Sequence, residues 1–394
     1  MVRRNGGFIG TDGLDAPDPP TGVSASASGG EAAISFTAPS DTGTSAITGF
    51  VATTDAGDGA TGSSSPITIG SLTNGTAYTA RVYAINAYGT SAASDVSSSF
   101  TPRLARGLFA GGHSSMDNID YISIATTGNA TDFGNLSADR GSLGALGSGT
   151  RGVIGGGAPA SGTTNIMEYV TIMTTGNATD FGDLTVSRSA VSGLSSSTRG
   201  IFCGGSISGG RSNVLDYITI ANTGNATDFG NLTATRMRTA SCASPTRGVI
   251  GGGEESDVVN KIDYITIAST GNASDFGDML AVVQELASAS SSTRGVFAAG
   301  KSSGGSKLNV IQYVTIASTG NASDFGDLVD DGLVGSACSN NIRFVHAGGE
   351  FSGDYSNIIE YVTIATTGNA ADFGDLTLAR ANLSGLSNTH GGLQ

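Results

Sequence analysis

The sequence predicts an all-β protein in which a small β-sandwich precedes a six-bladed β-propeller closed by its C-terminal strand. The 394 residues include 61 glycines and no Trp, and abundant Gly and Thr disfavour helices. Clusters of Ile, Val, Tyr and Phe recur between turn residues, as expected for short strands. The phrase GNATDFG, or a close variant, starts at residues 128, 176, 224, 271, 320 and 368, so successive copies lie 47 to 49 residues apart. Such a fixed period indicates one supersecondary unit copied six times.

The N-terminal residues 1–15 form a short polar lead, which we expect to anchor the protein to a partner. Two arginines in this lead are not followed by an apolar stretch, so no secretory signal is predicted. The net charge is −14, and the sequence has no basic stripe of the kind that binds nucleic acid. No run approaches the roughly 20 apolar residues that span a bilayer. Nucleic acid and membrane are therefore excluded as expected partners.

Residues 16–102 predict the sandwich. Four strand-like runs, AAISFTAP, ITGFVATT, PITIGSL and AYTARVYAINAYG, alternate with turn residues at the spacing of a small β-sandwich. The Pro19-Pro20 pair, Phe36 at a usual Trp position, and the runs LTNGTAY (72–78) and RVYAINAYG (81–89) resemble a fibronectin type III domain. The resemblance implies a spacer or adhesive module without catalytic residues, with Tyr78 as its tyrosine-corner residue.

Residues 104–394 contain the six repeats, and each repeat predicts four strands. A segment of small residues comes first, followed by a run such as RGVIGGG, a Tyr-centred run such as MEYVTIMTT, and the DFG segment. The region begins with a second strand (104–112) that has no first strand before it. It ends with a first strand (381–394) that has no further strands after it. The end of the repeat region is therefore predicted to complete the first blade, which removes an exposed sheet edge.

The order of Gly-Gly, Tyr, aromatic residue and Arg within each repeat resembles the kelch repeat. The last feature is supplied by Arg140, Arg188, Arg236 and Arg380, whereas Phe replaces the usual Trp of the family. The resemblance implies a kelch-like β-propeller. A second set of arginines opens the second strand of every repeat, and we expect these to pair with a carboxylate or a backbone carbonyl: Arg106, Arg151, Arg199, Arg247, Arg294 and Arg343. We expect His390 to take the corresponding place in the closing segment.

No catalytic, metal or cofactor site is predicted. The sixfold DFG is interpreted as a turn that buries its Phe, because no other kinase motif accompanies it. Asn and Asp in the repeated turns could bind calcium through oxygen atoms, or they could cap backbone groups. Three cysteines occupy positions where other repeats have small residues, which favours a packing role: Cys203, Cys242 and Cys338.

Binding residues are predicted where the repeats disagree. The loops after the Gly doublets differ in length, charge and aromatic content, whereas the GNATD turns are nearly uniform. Variation confined to one end indicates either a binding face opposite a structural face or neutral drift in exposed loops. The candidates are His113, Arg211, Glu254, Glu255, Lys301, Lys307, Phe351 and Tyr355.

The repeat phrases YVTIATTGNATDFGDLT and STRGVFAAG resemble kelch-like proteins of marine tailed phages, including cyanophages. The resemblance implies a non-enzymatic virion protein, made in the host cytoplasm and released by lysis, as a tail fibre, capsid fibre or decoration protein. Its expected partners are other virion proteins, bound through the N-terminal lead, and glycans or proteins of the host surface. A bacterial cell-surface adhesin and a glycan-active enzyme on a propeller scaffold are the alternatives.

Overall fold

The computed structural model describes residues 14–102, 104–113, 116–351 and 353–393. The chain divides into two compact units, Met1–Leu104 and Ala105–Gln394. The described residues form β-strands and turns with a single 3₁₀ turn, Gly391–Leu393, and they include no α-helix. The all-β prediction is confirmed. Residues 1–13 of the predicted anchor lie outside the described residues.

The first unit is a sandwich of two antiparallel sheets. One sheet contains Thr21–Ser28, Glu31–Thr37 and Ile67–Ile69, and the other contains Gly59–Gly62, Ile47–Thr54, Ala80–Asn86 and Gly89–Thr90. Alternate residues of these strands, such as Ile34 and Val82, are buried between the sheets, the pattern expected for strands with one face toward a core. The backbone N–H of Thr73 donates to the Tyr78 hydroxyl oxygen at 3.0 Å. This bond is the tyrosine corner that the sequence predicts.

The second unit contains six four-stranded antiparallel sheets, which we number 1 to 6 in chain order of their second strands. Their strands, from first to fourth, are Ser384–Ser387, Arg106–Gly112, Met116–Ser123 and Thr131–Asn135 in sheet 1; Gly144–Gly147, Arg151–Gly155, Ile166–Thr171 and Thr179–Asp183 in sheet 2; and Ser192–Ser195, Arg199–Cys203, Val214–Thr219 and Thr227–Asn231 in sheet 3. The others are Ala240–Ala243, Arg247–Gly251, Lys261–Thr266 and Ser274–Asp278 in sheet 4; Ala287–Ser290, Arg294–Ala298, Leu308–Thr315 and Ser323–Gly332 in sheet 5; and Ser336–Ser339, Arg343–Phe351, Asp354–Thr363 and Ala371–Asp375 in sheet 6. A two-stranded hairpin, Ser206–Ile207 with Gly210–Arg211, follows the second strand of sheet 3.

Sheet 1 is completed by the last strand of the chain. Ser384–Ser387 pairs antiparallel with Arg106–Gly112, with Leu386 opposite Leu108. The prediction that the final segment supplies the missing first strand is confirmed. The first strands of neighbouring sheets contact one another in sequence, and that of sheet 1 contacts those of sheets 2 and 6.

Two cycles of hydrogen bonds join the six sheets. In each GNA turn the Gly N–H donates to the carbonyl of the DFG Phe in the preceding sheet; Gly176 bonds to Phe133 at 2.8 Å, and Gly128 returns to Phe373 at 2.7 Å. In the second cycle, the guanidinium of each second-strand Arg donates to a carbonyl of the following sheet. Arg151 contacts Ile220 in this way, and Arg343 returns to Ile124. Of the two partners predicted for these arginines, the structure contains the carbonyl.

The apolar core of the second unit lies between adjacent sheets. The DFG Phe rings are 2% exposed, and each lies edge-on to the Tyr of its own sheet at centroid distances of 5.9 to 6.2 Å. The predicted burial of the DFG Phe is confirmed. The DFG glycine is needed for close approach, because a Cβ on Gly182 (φ +138°) would lie 2.5 Å from the Gly224 carbonyl of the next sheet.

Within the part of the chain that the structure describes, four buried ion pairs also cross between sheets. The arginines of the kelch-like pattern contact a carboxylate on the third strand of the following sheet: Arg140 with Glu168, Arg188 with Asp216 at 2.6 Å, Arg236 with Asp263 at 2.5 Å, and Arg380 with Asp120 at 3.2 Å. Between sheets 4 and 5 the equivalent positions hold Val283 and Gln312, both buried. Where Val283 replaces the arginine, the carboxylate is thus also replaced, by the neutral Gln312.

Burial of His346 is expected to make the stability of the second unit sensitive to acid. Its side chain is buried where sheets 1, 3 and 5 have Phe, and its Nε2 has no partner among the described residues. Burial lowers the pKa of His346 from 6.5 to about 4, so the unfolded chain takes up a proton first as the pH falls. We expect the free energy of unfolding to fall as the pH drops below 6.5 and to level off below pH 4. The total loss due to His346 is about 3 kcal/mol.

The measurement is urea unfolding of wild type and His346→Phe between pH 7 and pH 4. The difference in unfolding free energy should grow in favour of the variant as the pH falls, because other titrating groups are common to both proteins. A pH-independent difference would contradict this assignment.

Candidate binding funnel

Six residues at one end of the sheets form a closed ring of backbone hydrogen bonds, which we call the inner ring. Each precedes a first strand and donates its N–H to the carbonyl of the equivalent residue in the preceding sheet, at 2.7 to 3.4 Å. The cycle closes because Ser142 donates to Asn382 at 2.8 Å. The members are Ser142, Ala190, Arg238, Glu285, Val334 and Asn382.

All six inner-ring residues adopt the left-handed backbone conformation, with φ between 50° and 63°. This conformation favours Gly, and other residues adopt it at a cost of order 1 kcal/mol or more. None of the six is Gly, although the chain has Gly at many other positions with positive φ. The backbone is therefore uniform around the ring, while the side chains range from Ala to Arg.

A second set of six residues surrounds the first, and we call it the outer ring. Each member follows the Gly doublet, or its equivalent, after a second strand: His113, Ala158, Ser206, Glu254, Lys301 and Glu350. Five of them form an isolated backbone bridge to the residue that precedes an inner-ring member, as Ser206 does with Ser189. The sixth, His113, donates its N–H to the Ala381 carbonyl at 2.7 Å. Both rings are thus held by the backbone, whatever side chains they have.

The two rings surround a cavity of about 440 Å³, which we call the funnel. Its lining includes inner-ring residues from all six sheets, together with Ser206, Lys301 and Glu350 of the outer ring. Smaller cavities of about 100 Å³ and 50 Å³ follow along the first strands, and their linings are mostly Ser, Ala and Gly. A volume of this size lies within the range of small-molecule sites.

His390 and the 3₁₀ turn lie at the far end of these cavities. The His390 Nδ1 accepts from the Gly392 N–H at 3.1 Å, so its Nε2 donates to the Gly147 carbonyl at 2.9 Å. Burial lowers the pKa of this imidazole below 6.5, which keeps this neutral arrangement at pH 7. The prediction that His390 replaces a second-strand Arg is wrong. Sheet 1 already has Arg106, and the chain turns inward after Ser387.

The predicted binding residues lie at the funnel end, and four of the five Arg, Lys and Glu residues among them form ion pairs with described residues. Glu254 contacts Arg211 and also Arg238 at 3.1 Å, and Arg238 contacts Glu285 at 3.2 Å. Of the eight predicted residues, only Lys301 lines the funnel itself. The remaining pairs are Lys261 with Glu255 at 2.8 Å and Lys307 with Glu350 at 3.4 Å.

The two aromatic candidates lie beside the funnel. Tyr355 is 41% exposed, and its ring contacts that of His113 at a centroid distance of 5.4 Å. Phe351 is half-buried opposite Asp354 at the tip of the sheet 6 hairpin. Neither residue lines the cavity.

The sequence prediction missed the inner ring. Arg238, Glu285 and Asn382 each lie two residues before a first strand, in segments that the sequence pattern predicts only as runs of small residues. Comparison of the repeats at this position would have found them, because the six residues differ at one fixed place in the period. The loops are the more visible difference between the repeats because they also differ in length.

The asparagines of the uniform turns use their side-chain oxygen atoms in hydrogen bonds to the backbone. The Asn177 Oδ1 accepts the Asn135 N–H of the preceding sheet at 3.1 Å, and equivalent bonds occur at the other junctions. These asparagines therefore cap the backbone of a neighbouring sheet and not of their own turn. Across the described ranges no three His, Cys, Asp or Glu side chains are grouped so that they could hold a metal ion.

The three cysteines are buried, as expected for packing residues. Burial raises the pKa of Cys203 and of Cys242 to about 12, so both remain thiols at neutral pH. The residues described by the structure include no helix long and apolar enough to cross a membrane.

Comparison with protein families identifies the first unit. Residues 18–100 match the fibronectin type III domain model. This part of the chain is a fibronectin type III domain. Phe36, which stands at a usual Trp position of the domain, packs against Phe50 at a centroid distance of 4.8 Å, so the core keeps an aromatic pair. A comparison with curated proteins gives no match.

Proposed function

We propose that the six sheets are the blades of a closed kelch-like β-propeller and that this unit is a non-enzymatic recognition module. Support for closure comes from the hydrogen bonds that pass from sheet to sheet and return to the first. The Gly-to-Phe bonds, the arginine-to-carbonyl bonds and the inner ring each complete such a cycle. Radial repetition of this kind leaves only short, protected sheet edges.

The observation that carries the recognition role is the contrast between backbone and side chains in the two rings. The backbone hydrogen bonds repeat at every junction, whereas the side chains differ from sheet to sheet. A rigid scaffold that presents variable side chains around a concave polar cavity is the usual arrangement of a binding site. The uniform turns at the opposite end instead make the same inter-sheet contacts six times.

For the biological setting we propose a virion protein of a tailed phage. The N-terminal lead would attach it to other virion proteins, the fibronectin type III domain would act as a spacer, and the funnel would bind a host-surface glycan or protein. The phrase-level resemblance of the repeats to marine phage proteins supports this setting. A bacterial surface adhesin would use the same funnel, and a glycan-active enzyme would additionally turn over its ligand.

The test compares the two ends of the propeller in a binding assay on host cells. The variant Ser142→Gly/Asn382→Gly removes two polar side chains from the funnel, and Gly accepts the left-handed conformation of both positions. We expect at least tenfold weaker binding at an unchanged or slightly higher melting temperature. The matched control is Asp132→Ala/Asp372→Ala, which changes two exposed residues at the uniform end and should bind like wild type.

The opposite result, in which the control loses binding and the glycine variant does not, would show that the uniform end is the binding face. Release of product from the bound glycan would favour the enzyme alternative.

A further inference from the structure

Among the described residues around the funnel, the charged side chains form ion pairs with one exception, Lys301. Glu285 contacts Arg238, Glu350 contacts Lys307, and Glu254 contacts two arginines. Lys301 lines the same cavity, and within the described residues no carboxylate lies within ion-pair distance of its Nζ. Lys301 is therefore a positive charge at the funnel that no described carboxylate pairs with, in a chain whose net charge is −14.

The position of Lys301 is fixed by its backbone. Its N–H donates to the Gln284 carbonyl at 2.8 Å, and its carbonyl accepts the Gln284 N–H at 3.1 Å. It also forms a backbone bridge with Lys307, whose ammonium group donates to the Glu350 carbonyl at 2.9 Å. The half-buried Lys301 side chain thus extends from a constrained backbone at the cavity wall.

The rest of the lining specifies a ligand with many hydroxyl groups. Ser142, Ser189, Ser206 and Asn382 contribute side chains that both donate and accept hydrogen bonds. Leucine and valine side chains, Leu143 among them, line the same cavity and can contact the C–H groups of a sugar ring. No aromatic side chain lines the funnel within the part of the chain that the structure describes, so recognition there depends on polar groups and on charge.

The far end of the cavities also restricts the ligand. His390 and the turn that follows it occupy that end, where Gly391 and Gly392 are buried. A cavity that is covered at one end accepts the end of a polymer more readily than its middle. The part of a glycan that we expect to enter the funnel is therefore a terminal sugar.

We infer that the funnel binds the terminal acidic sugar of a glycan, with the sugar carboxylate on the Lys301 ammonium group. The inference deepens the proposed function and depends on it, since it names the ligand class of the same site. The charge-assisted contact supplies selectivity for the acid over the neutral sugar of the same shape. Removing the charge should abolish that selectivity and leave the hydroxyl contacts in place.

The test is titration calorimetry of the full chain with methyl glucuronide and with methyl glucoside at low salt. We expect wild type to bind the glucuronide about tenfold more tightly than the glucoside. Lys301→Gln should bind both equally, and Lys301→Arg should keep most of the preference. Lys261→Gln is the control, because it removes the same charge from a lysine that pairs with Glu255 and does not line the funnel.

Equal binding of the two sugars by wild type, or an undiminished preference in Lys301→Gln, would overturn the inference. Failure of both sugars to bind would overturn it as well, as would displacement of the glucuronide by equimolar inorganic phosphate, which would indicate a general anion site. The proposed function is judged separately by the cell-binding loss of the Ser142→Gly/Asn382→Gly variant, so a failure of the inference can be distinguished from a failure of the proposed function.

Discussion

Deletion of residues 381–394 is expected to unfold the whole six-sheet unit. The segment supplies the first strand of sheet 1, and its Leu383 and Leu386 side chains are buried. Each such side chain contributes roughly 1.5 to 3 kcal/mol by burial, and the strand also satisfies the edge of Arg106–Gly112. Asn382 is a member of the inner ring, so that cycle opens too. The combined loss is comparable with the 5–15 kcal/mol that typically stabilises a domain.

Circular dichroism and calorimetric melting are the measurements. The deletion variant should lose its cooperative transition for the second unit, while deletion of residues 391–394 alone should retain it. The shorter deletion keeps the first strand, and it removes only the turn at the end of the cavities. A full deletion that melted like wild type and stayed soluble would contradict the role assigned to this strand.

Asp216→Ala is expected to destabilise the second unit by about 3 to 5 kcal/mol, because it leaves the Arg188 guanidinium buried without its counter-ion. The Asp216 carboxylate also accepts hydrogen bonds from the Thr185 N–H and hydroxyl. The measurement is urea unfolding, with the midpoint and slope compared between variants.

The chain itself supplies the matched control for this prediction. Between sheets 4 and 5, Val283 and Gln312 replace the ion pair, and the Gln312 Oε1 accepts the Leu280 N–H at 2.9 Å as Asp216 does with Thr185. The double variant Arg188→Val/Asp216→Gln should therefore recover most of the stability. Glu168, which is equivalent to Asp216 in sheet 2, shows that this position accepts a side chain as long as that of Gln. Equal destabilisation of the single and double variants would show that burial of the charge is not the cause.

Much of the fold could be predicted from the sequence because the same four-strand repeat occurs six times. The Gly doublets, Tyr runs and DFG turns repeat at a nearly constant interval, so the four strands of each sheet and the odd strand at the end followed from alignment of the chain with itself. The residues that make these contacts are local in sequence or recur at fixed offsets. A periodic sequence pattern reveals both the local contacts and the contacts at fixed offsets.

The site could be predicted only in part, because its side chains act across repeats. The sequence singled out Glu254 and Lys301 as variable, but it did not show that Glu254 pairs with Arg238 whereas no described carboxylate pairs with Lys301. Ion pairing depends on side-chain reach between neighbouring sheets, which periodicity does not report. The left-handed conformation of Arg238 and Glu285 was also unpredictable from residue type, since hydrogen bonds from neighbouring sheets impose it.

The pairing of Ser384–Ser387 with Arg106–Gly112 brings the two ends of the repeat region into one sheet. Asn388 Oδ1 even accepts the Arg106 N–H at 2.8 Å across that junction. The architecture is thus compatible with circular permutation: a peptide link between these ends, with new termini in another loop, would preserve every sheet. The repeats can also be exchanged during evolution. A repeat that is duplicated in place of its neighbour brings its own inner-ring and outer-ring residue, and so changes the lining of the funnel.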